Sequence, residues 1–264
     1  MHPVGGGDPH ALAATAAARG AQFALSLTVP PAPCPYDAGV CGRYLTKDQR
    51  ALERELFLNV RRWPKFDASY NIAPTQLAPV VIATPEGNVC ELMHFGMIPF
   101  FARGERPKLS TINAKVERIQ TSPAWRGPWQ RGQRCLVLAS GFYEWHVLPD
   151  GRAKQPYLIQ LADQHSFAMA GLWDRSRTDG SEIHSFTIIT LPASPLMGKI
   201  HNAKKREPAI LARADRQTWL NGPPEAARAT LKPYPDELYV FYPVSKRVNS
   251  PKNNDAALTE RIAA

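Results

Sequence analysis

RCLVLASGFYEWHVL, residues 134–148, is the stretch on which the reading of this chain turns. Its first half, RCLVLAS (134–140), is an unbroken apolar run of strand length, as expected of a buried strand. Its second half, GFYEWHVL (141–148), continues in extended form and sets Glu144 between Tyr143 and Trp145. Such a strand needs partners, and the flanking sequence supplies them. PVVIAT (79–84) and VCELMHF (89–95), joined by Pro85-Glu86-Gly87-Asn88, read as a β-hairpin. PYLIQL (156–161), SFAMAGLW (166–173), HSFTIIT (184–190) and LYVFYPVS (238–245) read as further strands, with turns at Pro149-Asp150-Gly151 and Thr178-Asp179-Gly180. Helical signals are few. Thr46-Lys47-Asp48-Gln49 has the pattern of a capping box and opens RALERELF, whose apolar residues fall at helical spacing. A short helix is expected near Asn113 to Ile119 and a helical turn at Asp215 to Leu220, whereas residues 61–78 read as a long irregular loop. Many short strands with a few short helices predict one α+β domain on a curved, barrel-like antiparallel β-sheet.

Composition narrows the function. A chain of 264 residues with 44% hydrophobic and 21% charged residues is an ordinary globular protein with ample core. The net charge of +9 is uneven: residues 1–40 hold one basic and two acidic residues, so the remainder carries +10, an excess that suits a polyanionic partner such as nucleic acid. The four cysteines, Cys34, Cys41, Cys90 and Cys135, form no C-x-x-C pair and are too sparse for a disulfide scaffold. No metal site is expected, and a reducing, cytoplasmic compartment is the natural setting. No apolar run approaches the roughly 20 residues that span a bilayer.

Residues 1–40 are rich in alanine, glycine and proline and read as a disordered leader, with the folded domain over 41–254 and a tail over 255–264. Cys41 therefore stands at a boundary. If the mature chain begins there, by translation from Val40 or by cleavage, its amine and thiol form a 1,2-aminothiol. That pair closes on an aldehyde by imine formation and thiol addition, giving a thiazolidine. The plainer reading makes Cys41 a small buried hydrophobe at the start of a strand. Glu144 is either a buried proton shuttle or a strand residue whose side chain alternates outward. His201 opens the basic cluster Lys204, Lys205 and Arg206; it is either solvated or able to protonate a leaving oxygen. Asn113 could simply cap a helix. Trp63, Tyr70, Phe95, Phe100 and Trp145, interleaved with Arg61, Arg62, Arg103 and Arg106, have the composition of a single-strand groove or of an ordinary core.

Taken together, CGRY (41–44), YNIAPTQ (70–76), FGMIPFFA (95–102), INAKVE (112–117), RCLVLASGFYEW (134–145), FAMAGLW (167–173), the TIITLPAS…IHN run (187–202) and YPVS (242–245) resemble the SOS-response-associated peptidase (SRAP) family of abasic-site processing proteins. The resemblance implies a monomeric sensor of abasic sites in single-stranded DNA that crosslinks to the lesion through an N-terminal cysteine, together with the peptidase activity of the family's name and no cofactor. It implies Cys41 as nucleophile, Asn113 as positioning residue, Glu144 as acid/base and His201 as the group assisting ring opening. Arg43, Asn71, Pro74, Phe95, Lys115, Trp145 and Arg206 match positions lining the DNA site. Phe95 stands where tryptophan is usual, Lys115 where arginine is usual, and Glu207 in place of methionine sets an anion near the expected DNA path. A cysteine hydrolase using Cys41, His201 and Asn113 in trans, and a non-covalent single-strand binder, are the alternatives.

Overall fold

The run Arg134–Ala139 is a strand buried at every position, and its two faces feed different cores. Cys135, Val137 and Ala139 join one cluster with Val80, Phe95, Phe167, Met169 and Phe186. Leu136 and Leu138 join another with Leu52, Leu56, Trp129 and Trp219. Successive strand side chains point to opposite faces, so a strand covered on both sides must be apolar throughout. This is why the sequence shows no alternation there.

The computed structural model describes Met1 and residues 42–263 apart from Phe57, Leu109 and Asp179. Cys41 and residues 2–40, which include the expected leader, lie outside the described residues. The chain divides into Met1–Cys34 and Pro35–Ala264, and all that follows concerns the second unit. Its first elements are β1 (Arg43–Thr46), α1 (Gln49–Leu56), β2 (Val60–Arg62), β3 (Ser69–Ile72), β4 (Leu77–Thr84), β5 (Gly87–Phe95) and β6 (Asn113–Lys115). Then come α2 (Pro123–Gln130), β7 (Arg134–Ala139), β8 (Gly141–Val147), β9 (Lys154–Leu161), β10 (Phe167–Thr178) and β11 (Ser181–Pro192). The chain continues through α3 (Pro195–Ile200), β12 (Arg206–Pro208), β13 (Ile210–Leu211), α4 (Arg216–Asn221), α5 (Pro224–Ala229) and β14 (Tyr239–Pro243).

Five strands close on themselves. β11 pairs with β10, β10 with β7, β7 with β4 and β4 with β5. β5 then returns to β11 through the parallel pairs Ser185–His94 and Phe186–Phe95. The result is an α+β domain on a closed five-stranded barrel extended by β2, β6, β12 and β13. A second, antiparallel sheet has the order β14-β9-β8-β1-β3. One of its faces sends Tyr44, Phe142 and Ile159 into the barrel's core, and the other packs Leu45, Tyr143, Trp145 and Leu158 against Val244, Val248 and Leu258. The chain steps from barrel to second sheet between β7 and β8. A Cβ at Gly141 would sit 3.0 Å from Leu158 and 3.1 Å from Leu45, so the crossing needs a residue without one.

Four local readings are corrected. The cap of α1 is Asp48, whose carboxylate accepts from the Ala51 amide at 3.1 Å, while Thr46 lies in β1. The expected loop at 61–78 contains β3, which pairs with β1 through Tyr44 and Ile72; a four-residue strand is too short to show its period. The helix expected near Asn113 is a strand followed by a single 3-10 turn, Val116–Arg118, because Asn113, Ala114 and Lys115 pair in parallel with Ile188, Ile189 and Thr190. Finally, the fold continues past residue 254: Ala256–Thr259 forms a 3-10 turn that buries Leu258.

Candidate active site

Strand alternation places Glu144. On β8, Tyr143 and Trp145 turn toward the outer cluster, so Glu144 turns with Phe142 to the opposite, inward face, where it is 1% exposed. A carboxylate there requires a partner. One is His201, which ends α3 and is 4% exposed; its Nε2 lies 3.8 Å from the Glu144 carboxylate. The imidazole is oriented from its other side, since Nδ1 stands 3.0 Å from the Arg206 carbonyl. A carbonyl only accepts, so Nδ1 carries a hydrogen and Nε2 is the nitrogen presented to Glu144. A carboxylate and an imidazole nitrogen thus face each other in a nearly dry setting, two groups each able to take up or give a proton.

The loop after α3 is held in register by a residue for which the sequence suggested no role. The Asn202 side chain accepts from the Val147 amide at 2.9 Å and donates to the Val147 carbonyl at 2.9 Å, so it pairs with the end of β8 as a further strand residue would. His146 adds a contact to the Lys199 carbonyl at 3.0 Å. The strand bearing Glu144 is thereby tied to the loop bearing His201. The IHN tripeptide was the available signal, but only the fold shows what its asparagine grips.

Asn113 lies on β6, and both its side-chain nitrogen and oxygen are buried without a hydrogen-bond partner among the described residues. Buried polar groups are nearly always paired, so an amide offering both a donor and an acceptor is a candidate substrate contact. Asn113 makes no hydrogen bond to Glu144 or His201.

The residues expected to line DNA are placed unevenly. Phe95 is wholly buried, stacked on Phe186 at 5.3 Å and edge-on to Tyr44 at 5.5 Å; it is a core residue and presents no face for a base. Arg43 donates to Asn71 and to the Val248 and Asn249 carbonyls at 2.8–3.0 Å. The Asn71 amide donates to the carbonyls of Val248, Ser250 and Asn253 at 2.9–3.2 Å. The Trp145 indole donates to Asn249 at 2.8 Å. These three side chains thus anchor the turn at 248–253, because donors buried that deeply must find acceptors. Glu207 is corrected as well: it is fully buried, accepts from the Ser194 amide at 2.8 Å and does not face outward. Pro74 is half-buried beside Thr75, whose φ of +79° is strained for a β-branched residue. Lys115 is exposed, and Arg206 is half-buried against Glu117.

A better stacking surface lies elsewhere in FGMIPFFA. Phe100 and Phe101 are 55% and 53% exposed, packed edge to face at 5.6 Å, with the Arg131 guanidinium 5.4 Å from the Phe100 ring. Arg103, Arg106 and Lys108 are exposed along the same loop. Of the remaining cysteines, burial pushes the Cys90 thiol up to about 12 and the Cys135 thiol higher still, so neither is a nucleophile. No group of three or more His, Cys, Asp or Glu among the described residues is arranged to hold a metal ion, and no helix among them is long and apolar enough to cross a membrane.

A closed barrel with a second sheet, carrying a buried carboxylate–imidazole pair where that sheet meets the barrel's core, defines a class of α+β domain. Residues 40–251 match the SOS response associated peptidase (SRAP) family, and the chain belongs to that family. Among its relatives, "Abasic site processing protein YoqW" of Bacillus subtilis is 36% identical over 200 residues, covering 74% of this chain and 87% of that protein. "Abasic site processing protein HMCES" of Gallus gallus is 29% identical over 223 residues, covering 72% of this chain and 65% of that one. A solved structure from Bacteroides thetaiotaomicron has a TM-score of 0.73 at 27% identity, covering 84% of this chain and 100% of that chain.

Proposed function

We propose that this protein processes abasic sites in single-stranded DNA by joining them covalently to Cys41. The observation that carries the reading is the buried Glu144–His201 pair, 3.8 Å apart, in a chain whose relatives are named for abasic-site processing. The abasic sugar opens to an aldehyde: the C1′–ring-oxygen bond breaks, His201 protonates the ring oxygen, and the C1′ hydroxyl proton passes to Glu144 and back to His201. The Cys41 amine, deprotonated by Glu144, adds to that carbon, and water leaves to give an imine. The thiol then adds to the imine carbon, its proton passing to nitrogen, so aldehyde and aminothiol become a thiazolidine and one water. Asn113, with its unpaired donor and acceptor, positions the sugar. Lys115, Arg206 and the Phe100–Phe101 loop supply cations and stacking faces for the strand. The same acid–base pair serves a peptidase step that exposes Cys41. A cytoplasmic monomer acting on the nucleoid after damage suits this chemistry.

Incubation with an abasic-site oligonucleotide followed by a denaturing gel tests it. A shifted band is expected from the wild type and none from Cys41→Ala; Glu144→Gln slows the shift by about a hundredfold or more while leaving affinity for intact strands near normal. A stable crosslink in Cys41→Ala, or no covalent band at all, rejects the proposal and leaves a hydrolase acting in trans or a non-covalent binder.

A further inference from the structure

Arg206 and Glu117 stand on opposite flanks of β11. Arg206 starts β12 opposite Pro192, and Glu117 follows Lys115, which pairs with Thr190 on the other edge. The Arg206 side chain reaches across the strand: its Nη1 and Nη2 donate to the two Glu117 carboxylate oxygens at 2.7 and 3.0 Å, and Nη2 also donates to the Thr190 carbonyl at 2.6 Å. The pair is bidentate, the geometry in which a guanidinium holds a carboxylate or a phosphate equally well. The Arg206 side chain is little exposed, at 11%, whereas that of Glu117 is half in solvent, at 47%. Arg206 Nε is buried with no hydrogen-bond partner. A phosphate arriving from solvent therefore cannot use the Nε edge of the fork; the edge that faces outward is the one Glu117 already fills.

We propose that Glu117 is an internal stand-in for a DNA phosphate: its carboxylate holds the Arg206 fork while no strand is bound, and strand entry exchanges one anion for the other. The inference rests on the reading that Arg206 faces DNA. Glu117 is half in solvent, so water and an arriving anion reach its side of the pair and can displace it. The neighbouring Arg206, by hydrogen bond and charge, and Lys115 hold the Glu117 carboxyl below the usual carboxylate range, so the stand-in is ionised at neutral pH. Exchange has two consequences. Affinity for a strand is weaker than an unguarded Arg206 would give, and binding releases fewer counterions, because the cation at Arg206 is already compensated.

Anisotropy titration of a labelled, lesion-free oligothymidine over a salt series tests this on the full chain without depending on Cys41. Glu117→Gln is expected to bind about three- to tenfold tighter at low salt, the range of one partly exposed charge pair. Its slope of log affinity against log salt should steepen by about 0.7, the share of one added phosphate contact on a single strand. Both effects should vanish in the Arg206→Gln background. Equal or weaker binding by Glu117→Gln shows a structural clamp and overturns the proposal. Equal tightening in the Arg206→Gln background shows general charge removal and also overturns it. If Arg206→Gln by itself leaves affinity unchanged, the reading of Arg206 as a DNA ligand fails first. Should Glu117→Gln not fold, Glu117→Asp, too short to span both nitrogens, must show a smaller shift in the same direction.

Discussion

A single buried carboxyl shows how far residue type and residue role diverge. From charge alone, Glu207 suggested an anion in the DNA path. In the three-residue strand Arg206–Pro208, alternation turns Arg206 one way and Glu207 the other, into the core. Burial raises its carboxyl above the ordinary range, against hydrogen bonds from Ser194 that lower it and with Asp236 nearby raising it further. Since the folded value lies above the unfolded one, its protonated form is favoured in the fold. Stability is therefore lost as pH rises from about 4.3 through the raised value. Glu207→Gln keeps an acceptor for the Ser194 amide and cannot ionise. It should match the wild type at pH 4 and exceed it by about 1 kcal/mol at pH 8 in urea melts. A difference that does not change with pH would show that Glu207 does not titrate in the fold.

At the scale of elements the weak point is the seam that closes the barrel. β5 and β11 meet through only two residue pairs, and a side-chain triad reinforces them. His184 on β11 lies between Glu91 of β5 at 3.0 Å and Glu182 of its own strand at 2.8 Å. The Glu91 hydrogen bond is the main force raising His184, with Glu182 adding to it; His184 in turn holds both carboxyls low. A raised histidine contributes fully below its unfolded value near 6.5 and loses that contribution as pH climbs through the folded value. The lowered carboxylates contribute above about 4.3 and lose it as pH falls through their folded values. The seam is thus firmest between about pH 4.3 and 6.5. We expect His184→Gln to cost about 1 kcal/mol in that window and little at pH 9, an effect that shrinks with salt because the triad is about one-third exposed. Hydrogen exchange of the amides on β5 and β11 at the two pH values checks the location. Uniform change across the barrel would show that the triad does not act at the seam.

For the whole molecule the decisive matter is which residue comes first. With residues 1–40 attached, the nitrogen of Cys41 is an amide, its lone pair delocalised into the preceding carbonyl, and no imine forms. On the proposed aminothiol route, the reacting species begins at Cys41. A chain expressed as Met followed by Cys41, with the methionine removed, should crosslink abasic DNA at full rate, while the full chain with Glu144→Ala should be inert if that residue drives self-processing. Intact-mass measurement of the DNA adduct decides it: an adduct that still carries residues 1–40 excludes the aminothiol route.

What could be read from the chain alone were features that local chemistry dictates. The two-sided apolar run at 134–139, the hairpin at 79–95 and the amphipathic α1 follow from periodicity, and the run of ordered motifs from CGRY to YPVS was enough to point to the family. Tertiary structure alone decided which side chains the motifs spend inward. Arg43, Asn71 and Trp145 were legible as polar or aromatic members of a site, yet their hydrogen bonds run to a turn about 180–205 residues away for Arg43 and Asn71, and about 100 for Trp145. Phe95 and Phe100 look alike in sequence, but one fills the barrel and the other stands in solvent. Nothing local separates them, because burial is fixed by which strands close the ring and not by the residue's own neighbours. The pairing of Glu144 with His201, and of Arg206 with Glu117, arises in the same way, from elements far apart in the chain that only the folded sheets bring together.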